Sequence, residues 1–363
     1  MTRPRPHGTA SDTAAMDSGR LFPRKLDRAR GSVDMSHGSG GKAMAQLVRE
    51  MFAAAFANPF LDQGNDQAAF DPPAGRMVVT TDGFVVSPLF FPGGDIGSLA
   101  VHGTVNDVAM AGARPLYLTA GFILEEGFPL ADLGRIVDAM AAAARAAGVP
   151  IVTGDTKVVE RGKGDGVFIT TTGLGVVPDG VAPSGDRARP GDVVLVNGTM
   201  GDHGVAIMST RENLAFDTAI VSDSAALHTL VAGMVAAVPD VHVLRDPTRG
   251  GLATTLNEIA HQSGVGMLIR EADIPVRNEV AAACELLGLD PLYVANEGKL
   301  IAVCAPEEAD RLLAAMRAHP LGRDAAVIGT VHEDPHHFIQ METRFGGRRI
   351  VDWLSGEQLP RIC

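Results

Sequence analysis

The chain predicts an α+β fold in two units, residues 32–180 and 181–345, preceded by a leader (1–31) and followed by an arm (346–363). Three observations predict it. Runs rich in β-branched residues, Val78–Thr81 and Val167–Val177 in the first half and Val193–Asn197 and Ala325–Thr330 in the second, read as buried strands, with segments of helical spacing between them. Pro178–Pro190 is rich in Pro, Gly and Asp and marks a boundary. With 363 residues there is chain enough for two cores, and 46% hydrophobic against 20% charged content is ordinary for globular domains.

The leader is Arg-rich without the apolar run of a secretory signal, so it reads as disordered. After it, His37-Gly38-Ser39-Gly40-Gly41-Lys42 opens a helix whose Leu47, Val48, Met51, Phe52, Ala55 and Phe56 share a face. Backbone N–H groups at Gly40 and Gly41, the positive helix end and Lys42 suit an anion. This is not a Walker loop, which would need Gly at Ser36 and Ser or Thr at Ala43. Asp66 follows as an acidic candidate. Asp82 stands where the strand gives way to Gly83, and the helical spacing from Ile96 to Ala109 carries Asn106 and Asp107 to one buried end. An unpaired buried carboxylate costs several kcal/mol, roughly, so each needs a donor or a cation. Either Asp82 caps a turn and Asp107 a helix, or both meet Mg²⁺ and a nucleotide phosphate; the residues alone leave both readings open.

A strand over Leu116–Leu124, a helix over 130–147 and a strand over Val149–Thr153 lead to Gly154-Asp155-Thr156-Lys157. Lys157 is thereby expected just beyond a strand end, as a solvated lysine or a charge poised over phosphate or a carbonyl oxygen. The second, α/β unit begins with the strand at Val193, a turn-rich loop in which His203 reads as structural, and a helix near 205–211. Arg245-Asp246-Pro247-Thr248-Arg249-Gly250-Gly251 precedes another helix, with Thr248 as its cap and Asp246 as a fourth carboxylate in the company of glycines. In Asn296-Glu297-Gly298-Lys299, between two apolar segments, Glu297 is placed to act as a general base. His332, His336 and His337 have no Cys or further paired carboxylate beside them to make a metal site.

Lys+Arg 31 against Asp+Glu 43 gives a net charge of −12, which argues against nucleic-acid backbone binding. No uncharged stretch approaches about 20 residues, so a soluble, cytoplasmic protein without membrane contact is expected. Three cysteines are too few for a disulfide framework. Cys284 and Cys304 sit in helical and strand-like apolar contexts and read as core. Cys363 ends the chain on an arm that, extended over its last ten residues, reaches roughly 33 Å.

TTDGF, NDVAMAGA, GDTKVV, RDPTRGGLA, NEGK and the terminal PRIC, spread from about Ser36 to Cys363, together resemble the HypE family of hydrogenase maturation proteins. Several of these motifs are shared with aminoimidazole ribonucleotide synthetase and selenophosphate synthetase; the terminal PRIC is not. The resemblance implies a two-domain, aminoimidazole-ribonucleotide-synthetase-like architecture, with first domains pairing through their sheets into a barrel across a homodimer, and a flexible C-terminal arm. It implies an ATP- and Mg²⁺-dependent carbamoyl dehydratase, which turns a carbamoyl group on the Cys363 thiol into a thiocyanate and so supplies cyanide to the iron of [NiFe] hydrogenase. The partners implied are a carbamoyltransferase and iron-carrying scaffold proteins of maturation. Carried over by motif, Asp66, Asp82, Asp107 and Asp246 would hold Mg²⁺ and phosphates. Gly40, Gly41, Lys42, Asn106, Asp155 and Thr248 would line the nucleotide site, Lys157 would meet ATP or the carbamoyl oxygen, and Glu297 would take an amide proton. Two rivals differ in kind. A selenophosphate synthetase would place Cys or selenocysteine near the glycine loop, where Ser39-Gly40-Gly41-Lys42 stands, and a purine-pathway synthetase gives no reason for a terminal Cys363. A non-catalytic thiol carrier would show no ATP hydrolysis dependent on Cys363.

Overall fold

The structure, a computed structural model, describes Phe22 and residues 24–71, 73–212, 220–356 and 359–363. The first unit opens with helix α1, Lys42–Leu47, which runs on through a π-helical stretch Val48–Ala53 into Ala54–Phe56. Strand β1 (Arg76–Phe84) follows, then a two-stranded ribbon of β2 (Phe90–Phe91) and β3 (Gly94–Asp95), helix α2 (Ile96–Met110), β4 (Arg114–Glu125), helix α3 (Leu130–Ala147), β5 (Ile151–Val159) and β6 (Val167–Val177). The sheet order is β1-β6-β4-β5, antiparallel except for the β4/β5 pair. Strands alternate side chains between faces, and the buried set of β4 and β6 packs on α2 and α3. On the other face Met77, Val79 and Ile123 are exposed, Val79 to 70%.

Helix α2 holds the two units together. Asp95 caps it by accepting from the N–H groups of Gly97 and Ser98 at 2.8 and 2.9 Å. It is apolar on nearly every side, as a helix in the middle of a core must be. Leu99, Ala100, Val101 and Val105 belong to the first core, whereas Val108, Ala109 and Met110 belong to the core of the second unit. Small residues set the approach: a Cβ on Gly103 would stand 2.9 Å from the Phe84 ring, and one on Gly173 would stand 2.8 Å from Thr104 and Val108.

The second unit carries β7 (Val193–Val196), helix α4 (Asp202–Arg211), helix α5 (His228–Ala237), β8 (Val243–Arg245), helix α6 (Gly251–Ser263), β9 (Gly266–Arg270), helix α7 (Asn278–Leu287), β10 (Ile301–Cys304), helix α8 (Ala309–Arg317), β11 (Ala326–His332), β12 (Ile339–Glu342) and β13 (Arg348–Ile350). Its seven strands lie in the order β13-β12-β9-β11-β7-β10-β8. The β12/β9 pair alone among these is parallel, so the α/β expectation gives way to a mainly antiparallel sheet with α5 and α8 packed on one face and α6 on the other.

Several boundaries differ from the sequence reading. β5 runs on to Val159, so Lys157 lies inside a strand and not past its end. β1 likewise continues through Gly83 to Phe84. Residues 24–31, expected in a disordered leader, are held by ordinary contacts: Leu26 N–H donates to Glu50 at 2.7 Å, Arg28 pairs with Asp138 at 3.0 Å, and Leu130 N–H donates to Gly31 O at 3.0 Å. Residues 1–21 and 23 of that leader lie outside the described residues. At the other end, β13 pairs with β12 and Val351 is fully buried, so the expected arm begins inside the second sheet. Its tip is docked, not free, as described below.

Candidate active site

The predicted residues separate into two groups on opposite edges of the first sheet. Asp82, Asp107, Asp246, Glu297 and Cys363 meet in the cleft between the units. Asp82 is on β1 facing α2, with Oδ1 accepting from Gly83 N–H at 2.8 Å; Oδ2 lies 4.0 Å from where a Gly103 Cβ would be. Asp107, one turn further along α2, accepts from the Thr80 hydroxyl at 2.9 Å. Asp246 follows β8, and Glu297 leads into β10, the strand paired with β8. Asn296 bonds Pro247 O through both its N–H (3.2 Å) and its amide (3.0 Å), which fixes the two loops side by side.

Burial, and after it the charges of their neighbours, raises the proton affinity of Asp107, Asp246 and Glu297. Burial raises Asp107 from its ordinary value, with Asp82 adding to the effect; Asp246, half-buried and facing Asp107, is pushed up to about 7. Glu297 is buried at 3% exposure, and burial followed by the charges of Asp246 and Asp223 holds it well above its ordinary value. Its Oε1 has no partner. The Cys363 thiol sits against Glu297, and burial, followed by that carboxylate, pushes the thiol far above the usual range. In the docked tip the sulfur is therefore a neutral thiol facing a strong base. A cavity of 370 Å³ opens beside it, lined by Gly83, Arg249, Gly250, Tyr293, Arg361 and Cys363. Arg249, the nearby cation, works against the upward shifts of both Asp107 and Cys363.

The tip lies along the segment that follows β1. Ser87 N–H donates to Arg361 O and Val85 N–H to Cys363 O, each at 3.1 Å, and Ile362 is buried.

The second group surrounds β5. Asp66, Thr153 and Asp155 line a 260 Å³ cavity with Met44, Val48 and Phe52 of α1, and Asp66 is held there by its carbonyl, which accepts from the Thr153 hydroxyl at 3.0 Å. Gly40 and Gly41 lead into α1 beside it; Gly40 has φ +76° and Lys42 is exposed. Lys157 and Asp155 pair with each other at 2.5 Å on the open face of the sheet, both side chains 63% exposed, and the lysine draws the Asp155 carboxyl below its ordinary range. The register Asp82↔Thr171, Thr171↔Ala120, Ala120↔Gly154 puts the two groups level with each other but three strand spacings apart, roughly 14 Å. Within one chain, then, Asp66 does not share a cation with Asp82, Asp107 and Asp246.

Two expected nucleotide contacts are otherwise engaged. Asn106 is 2% exposed, and its amide donates to Ala225 O (3.0 Å) and Glu297 O (3.1 Å) while its oxygen accepts from Leu227 N–H (2.7 Å), so it mounts Glu297 and leaves no group for a ligand. Thr248 does not cap α6: the cap residue is Gly250, at φ +76°, and Thr248 offers only its carbonyl, to Gly251 N–H.

Sequence reasoning passed over Asp223, Lys299 and Arg249. Asp223 accepts from Glu297 N–H at 2.9 Å and pairs at 3.0 Å with Lys299, whose side chain is only 11% exposed. Lys299 and Arg249 stood inside the quoted motifs NEGK and RDPTRGGLA; Asp223 had no local signal, being brought there by tertiary structure. Among the described residues no three His, Cys, Asp or Glu side chains enclose a bare metal ion. The cleft instead offers hard oxygen donors, clustered and mutually repelling, which fits Mg²⁺ completed by phosphate oxygens and water.

The profile of AIR synthase related proteins matches twice, the N-terminal domain over residues 64–177 and the C-terminal domain over 189–342. A carbamoyl dehydratase HypE of Cupriavidus necator is 73% identical over 343 residues, 94% of this chain and 98% of that protein. The crystal structure of a hydrogenase maturation protein HypE in complex with ATP superposes with TM-score 0.88 at 53% identity, covering 91% of this chain and 99% of that one. A HypE–HypF complex superposes with TM-score 0.75 at 50% identity, over 85% of this chain and 99% of that one. A relative this similar along nearly its whole length, with both domain profiles in register, means that the chain belongs to the carbamoyl dehydratase HypE family of AIR synthase related proteins.

Proposed function

We propose that this chain is an ATP-dependent carbamoyl dehydratase that works on its own C-terminal residue, converting S-carbamoyl-Cys363 into a thiocyanate as the source of cyanide for hydrogenase iron. The observation that carries the reading is the docked tip, held by Val85 and Ser87 N–H, which sets the terminal thiol beside the buried carboxyl of Glu297. A carbamoyl group on that sulfur would stand against the same carboxylate. In the balanced reaction the carbamoyl oxygen leaves with the γ-phosphoryl group of ATP as phosphate, the C–N bond becomes a nitrile, and two N–H protons are lost. Glu297 takes one of them, and its raised proton affinity makes it a better base than a solvated glutamate. Asn106 and Asp223 hold its backbone from two sides, and the bonds from Val85 and Ser87 N–H seat the tip against water.

Asp82, Asp107 and Asp246 would hold Mg²⁺, which supplies charge neutralisation for phosphoryl transfer. Gly40, Gly41, Lys42, Asp66, Asp155 and Lys157 would take the nucleotide on the β5 side. The protonated state of the docked thiol carries a further consequence: loading by a carbamoyltransferase of the HypF kind takes place with the tip out of the cleft, where the thiol regains an ordinary pKa and becomes a nucleophile. The exposed Met77, Val79 and Ile123 support homodimerisation through the open sheet face, which also brings a second copy of the β5 group near the first copy's sheet. Iron-carrying scaffold partners and a cytoplasmic location complete the proposal; among the described residues no helix is long and apolar enough to cross a membrane.

The test is Glu297→Gln, which keeps the side chain's volume and can still contact the thiol. With S-carbamoylated protein, dehydration is expected to fall by about 10²–10⁴-fold while nucleotide binding persists. Undiminished nitrile formation in the folded variant would remove Glu297 from the reaction.

A further inference from the structure

Two side chains of α4 that the reaction itself does not use, His203 and Arg211, converge on the main chain of the last four residues. His203 is fully buried, with its Nε2 2.9 Å from Ile362 O and its Nδ1 2.8 Å from the Ser222 hydroxyl. A carbonyl can only accept, so Nε2 carries the proton and donates, while Nδ1 accepts from Ser222. Ser222 in turn accepts from Ser224 N–H at 3.1 Å, which orients the hydroxyl, and burial holds the imidazole neutral. At the end of the same helix the Arg211 guanidinium donates to Pro360 O (2.9 Å) and Arg361 O (3.1 Å). It also donates twice to Ser87 O, at 2.6 and 3.1 Å, on the segment whose N–H groups hold the tip. Arg211 therefore ties the tip to the segment after β1. The bonds these two residues make to the tip end on backbone carbonyls; among the described residues the tip's side-chain ion pair, Arg361 with Asp165, lies in solvent with both groups near half exposure.

We infer that His203 and Arg211 are positioning residues that seat the tip by its backbone carbonyls and so set the depth at which the Cys363 sulfur meets Glu297. Carbonyl recognition gives the seat a register of its own. Pro360, Arg361 and Ile362 O are held in succession, so Cys363 O falls to Val85 N–H and the sulfur is delivered to one depth. The proposal rests on the dehydratase reading for its purpose, but its test does not.

The measurement is the rate at which iodoacetamide modifies Cys363 in the full-length folded protein, read by mass spectrometry of the C-terminal peptide; Cys284 and Cys304 are buried and serve as internal controls. The docked thiol is held neutral and half-buried and reacts far more slowly than an undocked one, so a rise in rate reports a larger open fraction. Arg211→Met, which keeps the apolar stem, is expected to raise the rate tenfold or more, the scale on which charge-assisted hydrogen bonds act, about a factor of ten each. His203→Leu should do the same, and His203→Gln, whose amide can donate to the same carbonyl, should stay within about twofold of wild type. Asp165→Asn, which removes only the exposed ion pair, should also stay within about twofold. A wild-type rate in Arg211→Met with unchanged melting temperature overturns the inference, as does an equal rise in Asp165→Asn. Equal rises in His203→Leu and His203→Gln overturn the part assigned to His203. If His203→Leu does not fold, Arg211→Met decides. Failure of wild-type protein to make a nitrile would sink the dehydratase reading and leave this result standing.

Discussion

Glu297 and Cys363 were legible as residue types in place: a carboxylate squeezed between apolar segments, and a thiol at the chain's last position. Their meeting was not, because the contact joins the loop before β10 to the last residue of the chain. Asn106 and Thr248 show the opposite case. Each is a polar residue inside a phosphate-site motif, yet the first is consumed by Glu297 O, Ala225 O and Leu227 N–H and the second leaves the helix cap to Gly250. A motif fixes neighbours in sequence and says nothing of which polar group the fold will spend on itself. Asp246 gives a prediction at this scale. Its ordinary pKa of 3.8 rises to about 7 in the fold, so the folded state holds the proton more tightly and this residue's share of stability is lost as pH climbs from about 4 to about 7. Allowing for its partial accessibility, Asp246→Asn should stabilise the nucleotide-free protein at pH 7.5 by about 1–2 kcal/mol and flatten its melting temperature across that range, while abolishing turnover. A variant whose melting temperature keeps the wild-type pH profile would show that the strain lies elsewhere.

At the scale of elements, the strands and helices were readable because their periodicities are strong, and the errors fall at ends. β5 was expected to stop at Thr153 because Gly154 and Asp155 look like a turn. It continues because Gly154 passes close to Ala120 O on the parallel neighbour, where no side chain fits, and the ladder with β4 runs unbroken beyond it. The arm was expected to begin at residue 346 on composition, whereas pairing with β12 claims Arg348–Ile350. Helix α2 had an unambiguous apolar pattern, but nothing in it announced that its two ends belong to different cores. Its contact with α3 depends on Gly97, where a Cβ would collide with the Ile136 carbonyl. Gly97→Ala should therefore cost stability despite better helix propensity, by about 1–3 kcal/mol, measured by chemical denaturation. A neutral or stabilised variant would mean that α2 and α3 are not locked together.

For the molecule as a whole, the two-unit α+β organisation followed from the boundary at Pro178–Pro190, while the division of the candidate site between two edges of one sheet followed from topology alone. Asp66, Asp155 and Lys157 share motifs and charge logic with Asp82 and Asp107, but the order β1-β6-β4-β5 holds them roughly 14 Å apart. The open face between them carries Val79 at 70% exposure. Val79→Lys should halve the mass found by sedimentation equilibrium and lower ATP turnover with the monomer still folded; a dimer of unchanged affinity would place the pairing surface elsewhere. The most direct measurement of Cys363 chemistry is mass spectrometry of the C-terminal peptide after carbamoylation and addition of Mg·ATP. Wild type and Cys284→Ala should lose one water from the carbamoylated Cys363 peptide, and Cys363→Ala should show neither adduct nor loss. A labelled nitrile on Cys363→Ala protein, or an intact carbamoyl group on wild type after ATP has been consumed, would contradict the dehydratase reading.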